Sequence, residues 1–450
     1  MNYPENKIFS TFPTFSDNFT GDYNCREDCF LRVYRGADAE NFSAYINKLE
    51  NDGFTVLHTN EIDGNLFAAL GGKVFVTLLF TPCDSTLRVT ASEKNQFPDF
   101  GKTECSGECQ TTFYGFENDH TLIDCGMCLM VQCPDYSFFV VDSGHYFQFN
   151  DNDRIYKFMR ERTPAGQKVV VNGWLITHAH TDHVSKLADF LKYNTDDVII
   201  EGFYQNLLDG DYDYEDWGVE EREISVKFCK ILEEFPAPVY KLHTGMRFHI
   251  RNLTFDVMST HEDIYPVQID DYNDSSCVVM MEAEGSKVFI PGDAAVAADK
   301  VMKSRFFASL KCDVVQIAHH GHTGLSPEFY ERLGAKIAVF PITRIMFDNE
   351  LPKKEANRRA IEIADEYYIT SDGTVVIPLP YKKGTVTTLP DESFEDFAKI
   401  LRIWRYKYTK ERKKELYDIF LAHGGSDDRM LIPTNYLGFI EPKPYIGEDD

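Results

Sequence analysis

The most informative stretch of the chain reads His178-Ala179-His180-Thr181-Asp182-His183, and it follows the apolar run Trp174-Leu175-Ile176 directly. The apolar run predicts a buried strand. The residues after the motif predict a helix, because the apolar positions Val184, Leu187, Ala188 and Leu191 recur with a helical period. The motif is therefore expected on a loop between a strand and a helix, held by packed elements on both sides.

Histidine and aspartate at this spacing are suited to binding metal ions. Neutral imidazole and carboxylate are ligands that Zn²⁺ accepts. His178 and His180 are two residues apart and can reach one ion, while Asp182 and His183 can be aimed at a second by the helical turn. The alternative is a histidine-rich surface loop. The chain has 13 histidines in 450 residues, so three within six positions beside an aspartate disfavour that alternative.

Composition describes an ordinary globular protein with an acidic surface. The 450 residues allow two or three domains, and 43% are hydrophobic and 26% charged. Acidic residues exceed basic ones by 72 to 46, which gives a net charge of −26. Such a charge repels phosphate backbones and anionic lipid headgroups. We therefore expect a small-molecule substrate rather than a nucleic acid or a membrane partner. The oligomeric state is left open.

The termini and cysteines bear on location. The sequence contains no span of eighteen apolar residues, and its first residues lack the features of a signal peptide, so a cytoplasmic location is expected. The eleven cysteines include the close pairs Cys25/Cys29, Cys105/Cys109 and Cys125/Cys128. Free thiols in a reducing compartment are the favoured interpretation. A second metal site, built from cysteines in the N-terminal region, is the alternative.

Pattern changes divide the chain into three predicted regions. Residues 1–112 are expected to form an N-terminal α+β accessory domain ending in a polar linker, with a helix over Asp38–Asn51. Residues 113–385 mix strand runs with interposed helices, which favours two sheets covered by helices. Residues 386–450 are expected to form a helical C-terminal appendage, because Phe394, Phe397, Leu401 and Trp404 make an apolar stripe.

Two later segments can complete a metal site that one loop cannot. Val288–Ile290 predicts a strand that ends in Gly292-Asp293, where glycine permits a tight turn. Val314–Ile317 predicts another strand, followed by His319-His320-Gly321. Three separate strands thus end in metal-competent side chains, which is how a rigid sheet holds a preorganised site.

The order of these motifs resembles the metallo-β-lactamase fold superfamily. Within it, Asp142-Ser143-Gly144, the histidine motif, Gly292-Asp293 and His319-His320-Gly321 look most like the hydrolase domain of DNA-uptake channel proteins and like phosphorylcholine esterases. The resemblance covers roughly residues 113–380. It implies an α+β fold, a four-layered αββα sandwich, with two divalent metal ions: zinc first, manganese or iron as alternatives.

The resemblance also implies a role for each ligand. His178 and His180 would bind the first ion, and Asp182 and His183 the second. Asp293 would bridge the two ions, and either His319 or His320 would complete the second site. Asp142 would orient the loop. The sequence does not choose between His319 and His320.

Two further histidines are candidates at the site. Many members of the superfamily have another histidine ligand before the bridging aspartate, and His261 is the candidate for it here, as a ligand or a substrate contact. His243 and His249 are interpreted as structural. His322, just after the histidine pair, is a candidate proton donor to the leaving group.

The function predicted is that of a metal-dependent hydrolase that uses a metal-bridged hydroxide, with Asp182 orienting the hydroxide and taking its proton. The resemblance favours a phosphoester or phosphodiester small molecule, and a cationic patch could bind it, formed by Arg344, Lys353, Lys354, Arg358 and Arg359. The same chemistry would serve a lactone, an amide or a thioester. A nuclease and a non-catalytic scaffold are the remaining alternatives.

Overall fold

The computed structural model describes residues 6–25, 29–94, 96–102, 105–120, 123–148, 150–208, 218–349 and 351–391. Residues 392–450, which make up most of the predicted helical appendage, lie outside this part of the chain. Within the described residues, no helix is long and apolar enough to cross a membrane.

The N-terminal part forms one antiparallel sheet with a helix on one face. Its elements are β1 (Phe19–Asn24), β2 (Cys29–Arg35), α1 (Ala39–Asn51), β3 (Thr55–Ile62), β4 (Asn65–Gly71), β5 (Phe75–Thr81) and β6 (Thr86–Ser92), in the order β1-β2-β6-β5-β4-β3. Helix α1 begins where the Asp38 side chain accepts a hydrogen bond from Asn41 N at 2.7 Å. The helix buries Phe42, Tyr45 and Leu49 against the sheet.

A second, mixed sheet begins after residue 111. Its first seven strands are β7 (Thr112–Gly115), β8 (Cys128–Gln132), β9 (Phe138–Asp142), β10 (Val169–Ile176), β11 (Val198–Ile200), β12 (Phe203–Gln205) and β13 (Val239–Lys241). Strand β10 pairs in parallel with β9, β11 and β12, whereas β7, β8 and β9 are antiparallel. Strands β8 and β9 are buried along their whole length, which explains their continuous apolar sequences.

A third sheet of seven strands faces the second. It runs in chain order through β14 (Arg247–Ile250), β15 (Leu253–Ser259), β16 (Val278–Ala283), β17 (Ser286–Ile290), β18 (Val314–Gln316), β19 (Ile337–Phe340) and β20 (Glu366–Ile369). The first four are antiparallel and the last four parallel. Two later strands, β21 (Thr374–Pro378) and β22 (Thr387–Leu389), return to the second sheet beside β7.

Helices cover the outer faces of the two sheets. They are α2 (Asp151–Glu161), α3 (Thr181–Tyr193), α4 (Gly218–Glu234), α5 (Val296–Arg305), α6 (Pro327–Leu333), α7 (Arg344–Asn349) and α8 (Glu355–Ile363). One apolar core fills the space between the sheets, with Phe139 and Leu175 facing Phe255 and Val288. Two further cores lie beneath the helices on either side. The predicted α+β class and four-layered αββα sandwich are confirmed.

Short 3-10 turns connect several elements, and two of them lie near the sites described below. The turns are Lys7–Thr11, His261–Asp263, Tyr272–Ser275, Ala308–Leu310, Ala318–Gly321, Leu351–Lys353 and Thr370–Asp372. In the third of these, the Asp274 carboxylate accepts hydrogen bonds from the backbone N–H groups of Ala295, Ala297 and Ala298. Asp274 therefore fixes the start of α5, which follows Gly292-Asp293 closely.

The N-terminal sheet packs directly on the sandwich. Leu31 and Val33 join the core beneath α3, and Phe67 joins the core between the large sheets. Polar side chains reinforce this contact by reaching backbone oxygens of the sandwich: Asn65 Nδ2 donates to Arg305 O at 2.8 Å, and Arg88 donates to Asp263 O at 3.2 Å. The two parts thus share cores as well as hydrogen bonds.

The structure differs from the sequence expectations at element ends. Helix α5 ends at Arg305, because the backbone N–H groups of Phe307 and Ser309 donate to the Asp63 carboxylate. Strand β22 lies within the range predicted as C-terminal appendage, and it pairs with β21 at Thr374, Val375 and Val376. The sheet therefore extends past residue 385, whereas the two predicted domain boundaries remain predictions.

Gly292 occupies a position that only glycine fits well. Its φ is +56°, and a Cβ atom there would lie 2.8 Å from Thr177 Cβ, whereas Gly285 has φ +78° and no neighbour within 4 Å. We expect Gly285→Ala to cost about 1–2 kcal/mol from left-handed strain alone. Gly292→Ala should cost a further 1–3 kcal/mol or so from overpacking. Urea unfolding of the two variants measures the difference, and equal free energies of unfolding would refute it.

Candidate metal centre

Three strand ends bring the predicted ligands together. His178 and His180 follow β10, and Asp182 and His183 lie in the first turn of α3. Asp293 follows β17, and the histidine pair follows β18. Strands β17 and β18 are neighbours in the third sheet, while β10 is central in the second, so the ligands meet at one edge of the sandwich. This is the arrangement that the motif positions predict.

The first group of ligand atoms comes from His178, His180 and Asp293. These atoms lie within 4.8 Å of one another, and all three residues are buried. His178 Nε2 is 3.0 Å from His180 Nδ1 and 4.0 Å from Asp293 Oδ2. Two imidazoles and one carboxylate at these separations can hold a divalent cation.

The second group also contains Asp293. Its other members are Asp182, His183 and His320, again within 4.8 Å of one another. Asp293 Oδ2 lies 3.2 Å from His183 Nε2 and 3.4 Å from His320 Nε2, and Asp182 Oδ2 lies 3.0 Å from His320 Nε2. The two groups therefore share one carboxylate.

The structure distinguishes the two histidines that the sequence left open. His319 and His320 both have left-handed backbone conformations, with φ of 51° and 53°, and Gly321 follows with φ of 91°. This bend turns His320 inward, where its Nδ1 lies 2.8 Å from Pro341 O, and leaves His319 beside Thr323 O. Such strain in non-glycine residues is typical of functional sites. His320, and not His319, enters the ligand group.

Asp142 supports the centre from beneath. Its Oδ2 lies 2.7 Å from His183 Nδ1, and its Oδ1 accepts a hydrogen bond from Thr177 N at 2.9 Å. Thr177 Oγ1 donates to Asp142 Oδ2 at 2.7 Å and lies 3.1 Å from His178 Nδ1. A carboxylate on the far nitrogen of a histidine fixes the ring and makes it a better ligand. Asp142 thus has the orienting position that the resemblance implied.

Burial and charge act in opposite directions on the imidazoles. Burial lowers the pKa of His178 well below its usual value, with help from neighbouring imidazoles, and lowers the pKa of His180 to about 4. Burial also opposes protonation of His183 and His320, but the nearby carboxylates outweigh it. They hold the pKa of His183 well above its usual value and raise that of His320 to about 10. The carboxylates thus create a site that favours positive charge.

One orphaned atom tests whether the residues fit a cation. Asp293 Oδ1 is buried and has no hydrogen-bond partner. A buried carboxylate oxygen without a partner is costly. A divalent cation between the two groups would satisfy it, so the donor set and the unpaired oxygen together fit metal binding.

Removing the support under His183 should weaken metal binding. In Asp142→Asn an amide can face His183 Nδ1, so the ring loses its anionic acceptor. We expect metal affinity to fall about 10–100-fold, as for other outer partners of ligating histidines. A competition titration with a chromophoric chelator measures the change. The matched control is Asp135→Asn, whose carboxylate binds Ser137 and Arg251 away from the centre. Unchanged affinity in Asp142→Asn would contradict the orienting role.

Two predicted site residues lie outside both ligand groups. His261 Nε2 is 2.9 Å from Asn206 Oδ1, so its ring is engaged with a different loop. His322 lies beside His319, with ring centroids 5.6 Å apart, and burial lowers its pKa to about 3. The structure brings neither residue into the shared cluster, and their roles as ligand and proton donor stay predictions.

Some supporting contacts have no signal in the sequence. The carbonyl of Pro341 holds His320, and the Thr177 hydroxyl links Asp142 to His178, yet neither residue type suggests a metal site. Tyr272 lies near both histidines of the first group, its ring centroid 4.8 Å from that of His180. Only the folded chain reveals these neighbours.

The chain has the metallo-β-lactamase fold. Its two facing sheets, helical outer layers and ligands at three strand ends reproduce what the motif order implied. The clustered histidines and aspartates could hold metal ions at this edge of the sandwich.

The comparisons with known proteins cover the chain only in part. No protein-family model matches the chain. It is similar to ComE operon protein 3 of Bacillus subtilis (strain 168), with 26% identity over 168 residues, which is 37% of this chain and 19% of that protein. The chain thus matches about a fifth of that relative's length.

Solved structures overlap the chain in part. The metallo-β-lactamase fold protein YhfI from Bacillus subtilis is 10% identical and covers 57% of this chain and 96% of its own, with a TM-score of 0.35. Unliganded yeast PDE1 is 12% identical, with coverages of 58% and 98% and a TM-score of 0.36. A diphosphatase from the PhnP family is 15% identical, with coverages of 51% and 86% and a TM-score of 0.31. The fold assignment depends on the strand order and ligand positions of this chain.

Proposed function

We propose that the centre binds two divalent cations, zinc first among them, and hydrolyses a phosphoester or phosphodiester bond in a small anionic molecule. One observation carries the proposal: Asp293 contributes an oxygen to both ligand groups. In two-metal hydrolases the cations lie about 3.5–4 Å apart. A shared carboxylate supports that spacing. The remaining ligands would then divide as His178 and His180 for one cation, and Asp182, His183 and His320 for the other.

Bound cations of this kind lower the pKa of water toward neutrality and neutralise charge that develops on the substrate. Asp182 is the residue that we assign to orienting the attacking water and accepting its proton. Its side chain is 14% exposed, whereas those of His183 and Asp293 are 0% and 2% exposed. Asp182 therefore stands on the open side of the centre, where substrate and water would enter.

One lysine near the centre supports the proposal that the substrate is anionic. Arg344 is paired with Asp372, and Arg359 with Glu331, so these members of the predicted cationic patch are neutralised. Lys354 is half-buried and has no carboxylate within ion-pair distance among the described residues. Its charge acts on His322, two residues after His320. Lys354 is thus available to contact a substrate phosphate.

Lys354→Ala should weaken the binding of an anionic substrate without affecting a neutral one. We expect KM for a phosphoester to rise about tenfold or more, since hydrogen bonds to charged groups contribute about 1.5–3 kcal/mol. KM for a neutral lactone should not change. Steady-state kinetics measures both, with Lys353→Ala as the matched control because that neighbour is exposed. An equal loss for charged and neutral substrates would remove Lys354 from the substrate site.

The bond that is hydrolysed is tested with a substrate panel. Chromogenic phosphodiesters, phosphomonoesters, lactones and thioesters are assayed with added Zn²⁺ or Mn²⁺. Turnover of the phosphoesters at rates well above those of the other classes supports the proposal. Turnover confined to lactones or thioesters would support a hydrolase but contradict the proposed phosphoester substrate.

Metal analysis separates an enzyme from a non-catalytic scaffold. About two equivalents of metal per active centre are expected, by the two-metal arrangement. A centre that takes up no metal would favour the scaffold.

Nucleic acid is not the proposed substrate, because the net charge of −26 repels a phosphate backbone. Salt-dependent DNA binding in a gel shift would reopen the nuclease alternative.

A further inference from the structure

A second cluster of metal-competent side chains lies apart from the centre above. It consists of Cys29 at the start of β2, His243 after β13, and Glu262 in the turn after β15. One ligand atom from each lies within 4.8 Å of the other two. The residues are 0%, 2% and 4% exposed, respectively. Three distant segments of the chain therefore converge on one closed, polar position.

An unsatisfied oxygen lies within this cluster. Glu262 Oε2 is 2.9 Å from His243 Nδ1, but Glu262 Oε1 is buried without a hydrogen-bond partner. A single histidine thus satisfies only part of a buried carboxylate. Buried carboxylates are normally hydrogen-bonded on both oxygens or coordinate a metal. The free oxygen points to a ligand that protein side chains do not provide.

The donor set matches zinc more closely than other common cations. Thiolate, imidazole and carboxylate together are a zinc ligand set, whereas calcium and magnesium take oxygen ligands. Tetrahedral zinc has bonds of about 2.0–2.3 Å, which places its ligand atoms about 3.5 Å apart. The ligand atoms of the cluster lie within 4.8 Å of one another, and Glu262 Oε2 lies 2.9 Å from His243 Nδ1. A small inward movement of the side chains would complete the shell.

Two other functions fit the cluster less well. A cysteine nucleophile activated by histidine needs access to substrate, but Cys29 is fully buried. A simple ion pair would use the buried Lys241, whose ammonium group donates to Cys25 O. That lysine is compatible with zinc, because Glu262 and the Cys29 thiolate would offset the two positive charges of the cation.

We propose that Cys29, His243 and Glu262 bind one structural zinc ion that joins the N-terminal sheet to the sandwich. Cys29 belongs to the N-terminal sheet, and the other two residues belong to loops of the sandwich. A fully enclosed site with several protein ligands is typical of structural rather than catalytic zinc. Such an ion stabilises the folded chain by linking segments more than 200 residues apart in sequence. The proposal does not depend on the proposed hydrolase activity.

Cobalt substitution tests the site in the full chain. Among the described residues, neither ligand group of the first centre includes a cysteine, so a thiolate-to-cobalt charge-transfer band in the near ultraviolet that depends on Cys29 would report the second site. The measurement uses the Asp293→Asn background, which weakens the hydrolase centre, and Co²⁺ alone as the probe. We expect the band in this background and its loss in Asp293→Asn combined with Cys29→Ser. Cys312→Ser is the matched control, since that buried cysteine lies in another core, and the band should persist there.

A second variant keeps the test decisive if Cys29→Ser does not fold. Glu262→Gln preserves the shape of the side chain but removes its charge. When it is added to the Asp293→Asn protein, the zinc content measured by mass spectrometry should fall by about one equivalent per chain. The proposal is overturned if the Asp293→Asn protein binds no cobalt with a thiolate band, or if the band survives loss of Cys29. Failure of the hydrolase proposal would instead appear as absent turnover by the unsubstituted chain, with the band still present in the Asp293→Asn background.

Discussion

We expect Asp293→Asn to abolish hydrolysis and to reduce the metal content of the hydrolase centre. The substitution preserves the shape of the side chain but removes the negative charge that both ligand groups share. His183 and His320 would then face a neutral amide in place of a carboxylate oxygen at 3.2 and 3.4 Å. The loss of kcat/KM should exceed the roughly 100-fold that loss of an outer partner of a ligand costs. Steady-state kinetics and metal analysis of the purified variant measure both effects.

A matched aspartate controls for the loss of a buried charge. Asp299 lies in α5 on the same side of the sandwich, where its Oδ1 accepts a hydrogen bond from Ser326 N at 2.9 Å. It contacts no member of either ligand group. Asp299→Asn should keep full metal content and near-native turnover. If Asp293→Asn behaved in the same way, the shared carboxylate would not bridge cations, and the two-metal proposal would fail.

The largest effect on stability is expected for Asp263→Ala. The side chains of Asp263 and Arg305 form an ion pair and are 1% and 2% exposed. Asp263 also accepts a hydrogen bond from Thr260 N at 2.9 Å, which fixes the turn after β15. Removing one partner of a buried pair leaves the other charge uncompensated, at a cost of about 3–5 kcal/mol. Urea unfolding followed by circular dichroism measures the free energy of unfolding.

A more exposed ion pair in the third sheet provides the comparison. Arg247 and Asp256 are joined at 2.7 Å, but the arginine side chain is 39% exposed. Asp256→Ala should therefore cost at most about 1 kcal/mol. A loss of similar size in both variants would mean that burial does not determine the contribution of the Asp263 pair.

Much of the hydrolase centre was predictable because its information is local. The histidine motif after Trp174-Leu175-Ile176 lies between a strand and a helix in the structure, as periodicity indicated. Gly292-Asp293 likewise follows a strand as predicted. Because parallel neighbours end at one edge of a sheet, ligands at strand ends were expected to meet. Side-chain chemistry and strand ends sufficed to predict this part of the centre.

Other features depend on contacts that no local pattern encodes. The choice of His320 over His319 follows from two left-handed residues in succession, a conformation that neither histidine favours by itself. His261 lies at a strand end, as expected, but Asn206, 55 residues away, engages its ring. The strand Phe203–Gln205 has only three residues, too few to form a periodic pattern that would predict it. Long-range partners decided these positions.

The contact between the N-terminal sheet and the sandwich has a practical consequence. Leu31, Val33 and Phe67 are buried in cores that also contain the sandwich's own side chains. A shortened chain without this sheet would expose a large apolar surface to solvent, and such surfaces promote aggregation. The N-terminal sheet is thus an integral part of the folded molecule, and the sandwich is best studied with that sheet in place.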